Sequence, residues 1–264
     1  MKNIKDYVNK LVDDGYNDLN AQARVSQDIL LKAIKNAGIE ENVTIKGGVL
    51  IRNISHDERR ATIDLDVDFV KYSINDEMLN KFIRILNDNS EYSIEIVGNI
   101  EELKHEEYKG KRVFLNISDG IDTLNTKVDI GVHTYSEMQL EKCIFNIVLD
   151  DEGISLLANS KEQIITEKLK SLLKFGTTST RYKDIFDIDF LLNDIDTKRL
   201  KKYIELLIIN SYESRYNTIQ DIRDRLTYIF NNKKYIEEIN KSNKNWSNKK
   251  IDDVIRNILK MGNI

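Results

Sequence analysis

Residues 63–69 read Ile-Asp-Leu-Asp-Val-Asp-Phe. Side chains alternate faces along a strand, so Asp64, Asp66 and Asp68 share one face while Leu65, Val67 and Phe69 share the other. Such a strand is half core and half carboxylate cluster. Like charges at this spacing raise one another's pKa unless a cation or a set of donors satisfies them, and a divalent metal ion is the economical way to do so. A calcium loop of the EF-hand type is excluded, because it needs Gly at its sixth position and Glu at its twelfth, where this chain has Phe69 and Asn75. Taken alone, the strand fits equally well an exposed polar face whose acids are solvated. What flanks it in the chain must decide.

Residues 43–46, Val-Thr-Ile-Lys, form a short strand pattern that runs into Gly47-Gly48 and the apolar segment Val49-Leu50-Ile51, a candidate helix start. Glycines between a strand and a helix let backbone N–H groups approach an anion, and the helix dipole favours it. By itself the pair more often marks a tight turn. Before it, residues 19–37 carry Ala23, Ile29, Leu30, Ala33, Ile34 and Ala37 at helical spacing, and Gly38 closes the helix. The polar loop 55–62 offers Arg59 and Arg60 to a phosphate, although loop arginines are more often solvated. After the acidic strand, residues 77–86 have a helical pattern, followed by strands over 93–97, 112–117 and 126–132, with a turn at Asp119-Gly120. In the last strand Lys127 and Asp129 share one face, opposite Val128 and Ile130.

The bounds are those of a folded polypeptide of two domains. At 264 residues the chain can bury two modest cores. It has no apolar run approaching the ~20 residues of a membrane helix, and the polar, alternating first ten residues predict no secretory leader. The single Cys143 forms no internal disulfide, which suits a cytoplasmic location; in Cys143-Ile144-Phe145 it reads as core filler. A net charge of −4 argues against indiscriminate nucleic-acid binding but leaves room for a local basic face. His56, His105 and His133 are too dispersed for a metal site. The absence of proline and the abundance of Lys, Asn and Ile look like the bias of an AT-rich bacterial genome, which weakens inference from lysine counts.

Five motifs occur in order: Lys46-Gly47-Gly48-Val49-Leu50, Arg60-Ala61-Thr62-Ile63-Asp64-Leu65-Asp66, Lys127-Val128-Asp129, residues 162–169 (Glu-Gln-Ile-Ile-Thr-Glu-Lys-Leu), and residues 181–187 (Arg-Tyr-Lys-Asp-Ile-Phe-Asp). Together they resemble the AbiEii/AbiGii family of nucleotidyltransferase toxins, within the nucleotidyltransferase superfamily. The resemblance implies an α/β (α+β) fold, a mixed sheet flanked by helices, with a catalytic domain over 1–155 and a helical domain over 156–264. It also implies that Asp64, Asp66 and Asp129 bind one or two Mg²⁺ (or Mn²⁺), which bridge a nucleoside triphosphate and activate an attacking hydroxyl. Lys168 and Asp184 are the further catalytic candidates, and Gly47, Gly48, Lys127, Arg181 and Lys183 the nucleotide-binding ones. Two departures stand out: Val49 replaces the hydroxyl residue that many relatives carry, and Asp68 is an additional acid, read as supporting or solvent-facing. Tyr108-x-Gly110-x-Arg112 resembles a family segment that leads into the central strands and is read as architecture.

Helical patterns follow over 191–209, 219–230 and 251–261. Lysines cluster at 198–202 and 233–250 with Tyr235 and Trp246 between them, the mixture an RNA backbone and exposed bases call for, although solvated helix faces account for any one cluster. On a helix, Lys183 and Asp187 stand four residues apart and can pair at the surface. The resemblance therefore implies a toxin of a toxin–antitoxin or abortive-infection system active in phage defence. It would transfer NMP from an NTP to an RNA, a tRNA 3′ end in the first instance, and have a cognate antitoxin as partner and no membrane. The alternatives are a catalytically silent nucleotide- or partner-binding protein of the same fold, and a transferase acting on a protein hydroxyl.

Overall fold

The computed structural model describes residues 3–70, 73–103, 110–212 and 214–261. His105 and Tyr108 lie outside the described residues. The chain divides into two compact units, Met1–Asn159 and Ser160–Ile264.

The first unit runs α1 (Ile4–Asp13), α2 (Asp18–Asn36), β1 (Val43–Lys46), α3 (Gly47–Ser55), β2 (Leu65–Val70), α4 (Asp76–Asp88), β3 (Ser93–Ile96), β4 (Glu101–Glu102), β5 (Lys111–Ser118), β6 (Thr123–His133), β7 (Leu140–Ile147) and β8 (Asp150–Asn159). Asparagines start three of its helices. Asn3, Asn17 and Asn75 each accept a backbone N–H of the first turn, satisfying a donor the helix cannot. Asn75, where a calcium loop would need Glu, is thus the cap of α4.

The strands form one mixed sheet in the order β3-β5-β6-β2-β1-β8-β7, with β4 on the edge of β5. At its centre β2 runs antiparallel to β1 and parallel to β6. The alternation expected of the acidic strand is present. Val43, Ile45, Leu65, Val67, Phe69, Val128, Ile130, Val113 and Ile117 are all buried along one face of these strands. Burial of each large aliphatic side chain is worth ~1.5–3 kcal/mol, so a one-residue slip of β2 would forfeit its half of that core and is disfavoured.

The acidic strand begins at Leu65 rather than Ile63, leaving Asp64 just ahead of it. The β7–β8 hairpin is not evident from sequence. β7 is an edge strand with one partner and only Phe145 and Ile147 buried, so its sequence carries no strong alternation. Cys143 is only half-buried and Ile144 is exposed, so Cys143 lies at the margin of the core rather than within it, while Phe145 is fully buried. Arg60 is buried within a short 3₁₀ turn rather than solvated on a loop.

The second unit is helical among its described residues: α5 (Lys161–Phe175), α6 (Tyr182–Leu191), α7 (Thr197–Ile204), α8 (Ile219–Phe230), α9 (Lys233–Lys241) and α10 (Ile251–Met261). The helix expected over 191–209 is divided. Leu191 ends α6, Asp196 caps α7 by accepting from the amides of Lys198 and Arg199, and a π-turn follows over Glu205–Ile209. Tyr235 and Trp246 are 1% and 5% exposed. They are core residues, with Tyr235 against Tyr182 and Trp246 edge-on to Phe190, and so are not stacking platforms for exposed bases. Among the described residues no helix is long and apolar enough to cross a membrane.

Candidate active site

The polar face of the sheet in the first unit carries a row of charges at one level. Lys46 on β1 is the register partner of Asp66 on β2, Asp66 of Asp129 on β6, Asp129 of Arg112 on β5, and Arg112 of Glu101 on β4. Register partners in a sheet share a face, so five side chains from five strands stand side by side. Two adjacent carboxylates lie at the middle, flanked by two cations.

The remaining acids are drawn to lysines. Asp64 Oδ1 lies 3.1 Å from Lys127 Nζ, and Asp68 Oδ1 lies 2.5 Å from Lys46 Nζ. Asp129 receives two hydrogen bonds from one guanidinium, Arg112 Nε to Oδ1 at 2.7 Å and Nη2 to Oδ2 at 2.8 Å. These bonds push the Arg112 pKa up, with Asp64 and Glu101 adding to the effect. Asp68, 5% exposed, is not solvent-facing; it is buried on Lys46. Among the described residues no three His, Cys, Asp or Glu side chains converge as a metal-ligating group. Asp66 and Asp129 are lateral neighbours, while Asp129 turns to Arg112 and Asp64 to Lys127. The donor set nevertheless suits Mg²⁺, which prefers one or two hard carboxylates and takes its other ligands from water and phosphate.

Gly47 opens α3 directly from β1, with φ of +63°, and a Cβ there would overlap the Asp66 carboxylate. No L side chain fits both that conformation and that space. The first turn of α3 therefore starts beside Asp66, and Lys46 at its N-cap makes no side-chain capping bond to it. Gly48 follows, buried against Thr62.

Beneath the site lies a buried polar network absent from the sequence reading. Gln27 Nε2 donates to the carbonyls of Thr62, Ile63 and Asp64 at 3.0, 3.1 and 3.4 Å. Its Oε1 accepts from Arg52 Nη1 at 2.5 Å, and Arg52 Nη2 donates to Asp28 at 3.1 Å. Asp28 also accepts the Val148 amide at 2.9 Å. Burial pulls the Arg52 pKa down, and Asp28 offsets it. A signal was available: Ala23, Gln27, Leu30 and Ile34 share one helical stripe, and a polar residue in a buried stripe requires partners. Gln27→Leu leaves three carbonyls and Arg52 short of a partner, so it is expected to cost about 1–3 kcal/mol, read as a lower denaturant midpoint. An unchanged midpoint would remove Gln27 from this role.

In the second unit Lys168, on α5, pairs with Asp184 and, at 3.0 Å, with Asp187, both on α6. Asp187 is fully buried and also accepts Trp246 Nε1–H at 3.0 Å. Asp189, equally buried, receives Lys249 and Asn257 at 2.6 and 2.8 Å. Arg181 is exposed at the N-cap of α6, and Lys183 is half-buried in its first turn. The two late motifs thus meet through Lys168 and Asp184. Glu162, at the head of the first, is buried and accepts the Asp196 amide at the start of α7.

The family model described as nucleotidyl transferase AbiEii toxin, type IV toxin–antitoxin system, matches residues 29–256. Solved structures that share the fold include two from Helicobacter pylori. JHP933 from Helicobacter pylori is 15% identical with a TM-score of 0.51, covering 91% of this chain and 90% of that one. A candidate nucleotidyltransferase from H. pylori is 14% identical with a TM-score of 0.52, covering 91% and 93%. At such identity the likeness is one of fold. None of the curated proteins matches the chain.

Proposed function

Because the chain belongs to the AbiEii nucleotidyltransferase toxin family of type IV toxin–antitoxin systems, we propose that it transfers NMP from an NTP to the 3′ end of a tRNA in the cytoplasm, with Mg²⁺ held by Asp64, Asp66 and Asp129. The observation that carries this reading is the adjacency of Asp66 and Asp129 in parallel strands, beside the first turn of α3. Two carboxylates from neighbouring strands are the hard, anionic pair a magnesium site is built on. When bound, the ion supplies charge neutralisation of the triphosphate and a more acidic attacking hydroxyl.

The chain's own groups have separate tasks in this proposal. The Gly47 and Gly48 amides, at the positive end of α3, take phosphate oxygens. Val49 removes only a hydroxyl, so phosphate binding there rests on backbone donors. Lys127 supplies positive charge beside Asp64. Lys168, with Arg181 and Lys183, supplies the positive charge of the later motifs, and Asp184 holds the Lys168 ammonium in place. Growth arrest follows from tRNA ends blocked against aminoacylation, in phage defence or otherwise, and a cognate antitoxin would counter it.

Purified protein incubated with Mg²⁺, total tRNA and each of four labelled NTPs is expected to give label at the tRNA 3′ end, lost on chelation. Label on protein instead of RNA would move the assignment to a hydroxyl-modifying transferase. Binding of NTP with no transfer to any RNA or protein acceptor would leave a silent binding protein and overturn the proposal.

A further inference from the structure

The polar face is largely, but not fully, neutralised by its own side chains. Asp64, Asp66, Asp68 and Asp129 stand against three cations, Lys46, Lys127 and Arg112. Of these contacts, the Arg112–Asp129 pair is distinct in kind. It uses both nitrogens of the fork and both oxygens of the carboxylate, the planar geometry that makes guanidinium–carboxylate pairs strong and directional. Both side chains are mostly shielded from water, at 27% and 18% exposure, so screening is reduced.

We propose that Arg112 is an internal competitor for the divalent ion at Asp129, a gate that sets how tightly the site takes metal. The proposal rests on the nucleotidyltransferase reading above. Either Asp129 oxygen that ligates a cation must give up or share a hydrogen bond already made to Arg112, and the incoming charge would stand beside a guanidinium that cannot deprotonate. Arg112 has somewhere else to go. Its register partner on the other side is Glu101 on the edge strand β4, an exposed carboxylate, and Glu101 already contributes to the raised Arg112 pKa. The guanidinium stands between two carboxylates in one row, one at the centre of the site and one at its rim. Metal entry shifts it toward the rim, where its charge faces Glu101 or the phosphate of an arriving nucleotide.

The test is Mn²⁺ binding without nucleotide, by calorimetry or by the loss of free Mn²⁺ signal in electron paramagnetic resonance. Arg112→Gln is expected to tighten the Mn²⁺ Kd at least tenfold, and Glu101→Gln, which removes the alternative partner, to weaken it at least threefold. Asp129→Asn should lose the Arg112 dependence. A Kd within twofold of wild type in Arg112→Gln, or a weaker one, overturns the gate. If Arg112→Gln does not fold, Arg112→Lys, which keeps charge but loses the fork, must still tighten binding, and failure to do so overturns it equally. Absence of Mn²⁺ binding to wild type and Arg112→Gln alike defeats instead the metal-dependent reading on which the gate rests.

Discussion

Asp66→Asn should abolish nucleotidyl transfer, lowering kcat/KM at least about a thousandfold, or about 4 kcal/mol of transition-state stabilisation, in a protein that stays folded. Asp66 is at the middle of the charged row, between Lys46 and Asp129, and presses against the Gly47 backbone where α3 begins. In the proposed function that carboxylate serves both the ion and the phosphate cradle, and neither Asp64 nor Asp129 stands at the same place against Gly47. Asparagine keeps shape and removes that charge. The change relieves repulsion with Asp129 and loses attraction to Lys46, two opposed terms, so the fold is expected to be retained. The measurement is transfer of label from NTP to tRNA, with circular dichroism as the control for folding. Asp68→Asn separates register from periodicity: it removes the buried partner of Lys46 but none of the proposed metal ligands. If Asp68→Asn were as inactive as Asp66→Asn, or if Asp66→Asn kept a tenth of the activity, the assignment of Asp66 would be wrong.

Lys168→Met has the largest expected effect on stability. Asp187 is fully buried, and its partners include the Lys168 ammonium at 3.0 Å and the Trp246 indole. Removing the cation from a buried carboxylate typically costs about 3–5 kcal/mol, because the desolvated charge remains. In a protein of this size that lowers the thermal midpoint by about 10 °C. Methionine retains the aliphatic stem, so lost packing is a minor part. The double variant Lys168→Met/Asp187→Asn should recover most of the stability, since asparagine is neutral and still accepts the Trp246 N–H. It should not recover transfer, because the ammonium proposed to act there is still missing. Recovery of both would make Lys168 purely structural, and no loss of stability in the single variant would contradict the buried pair.

That double role shows where sequence reasoning stopped. Lys183 and Asp187, four residues apart on α6, suggest a surface pair, yet Asp187 is buried on Lys168 and Trp246, 19 and 59 residues away in the chain. Likewise Tyr235 and Trp246 sit among lysines in the chain and away from solvent in the fold. Helical spacing tells which residues share a face; it does not tell which face is covered.

The sequence by itself determined the alternation of acid and apolar residues in β2, the strand-to-helix step at Gly47, the spans of α8 and α10, and the order of motifs that marks the family. Each of these is local: period, capping chemistry and spacing act over a few residues and survive without knowledge of neighbours. Only the tertiary structure decided what each carboxylate faces. Parallel pairing of β2 with β6 puts Asp66 beside Asp129 across more than sixty residues, and antiparallel β5 brings Arg112 against Asp129. The fold of α2 under the loop puts Gln27 beneath Asp64. Charge partners are set by strand order and register, which follow from burying the opposite, apolar face of the sheet.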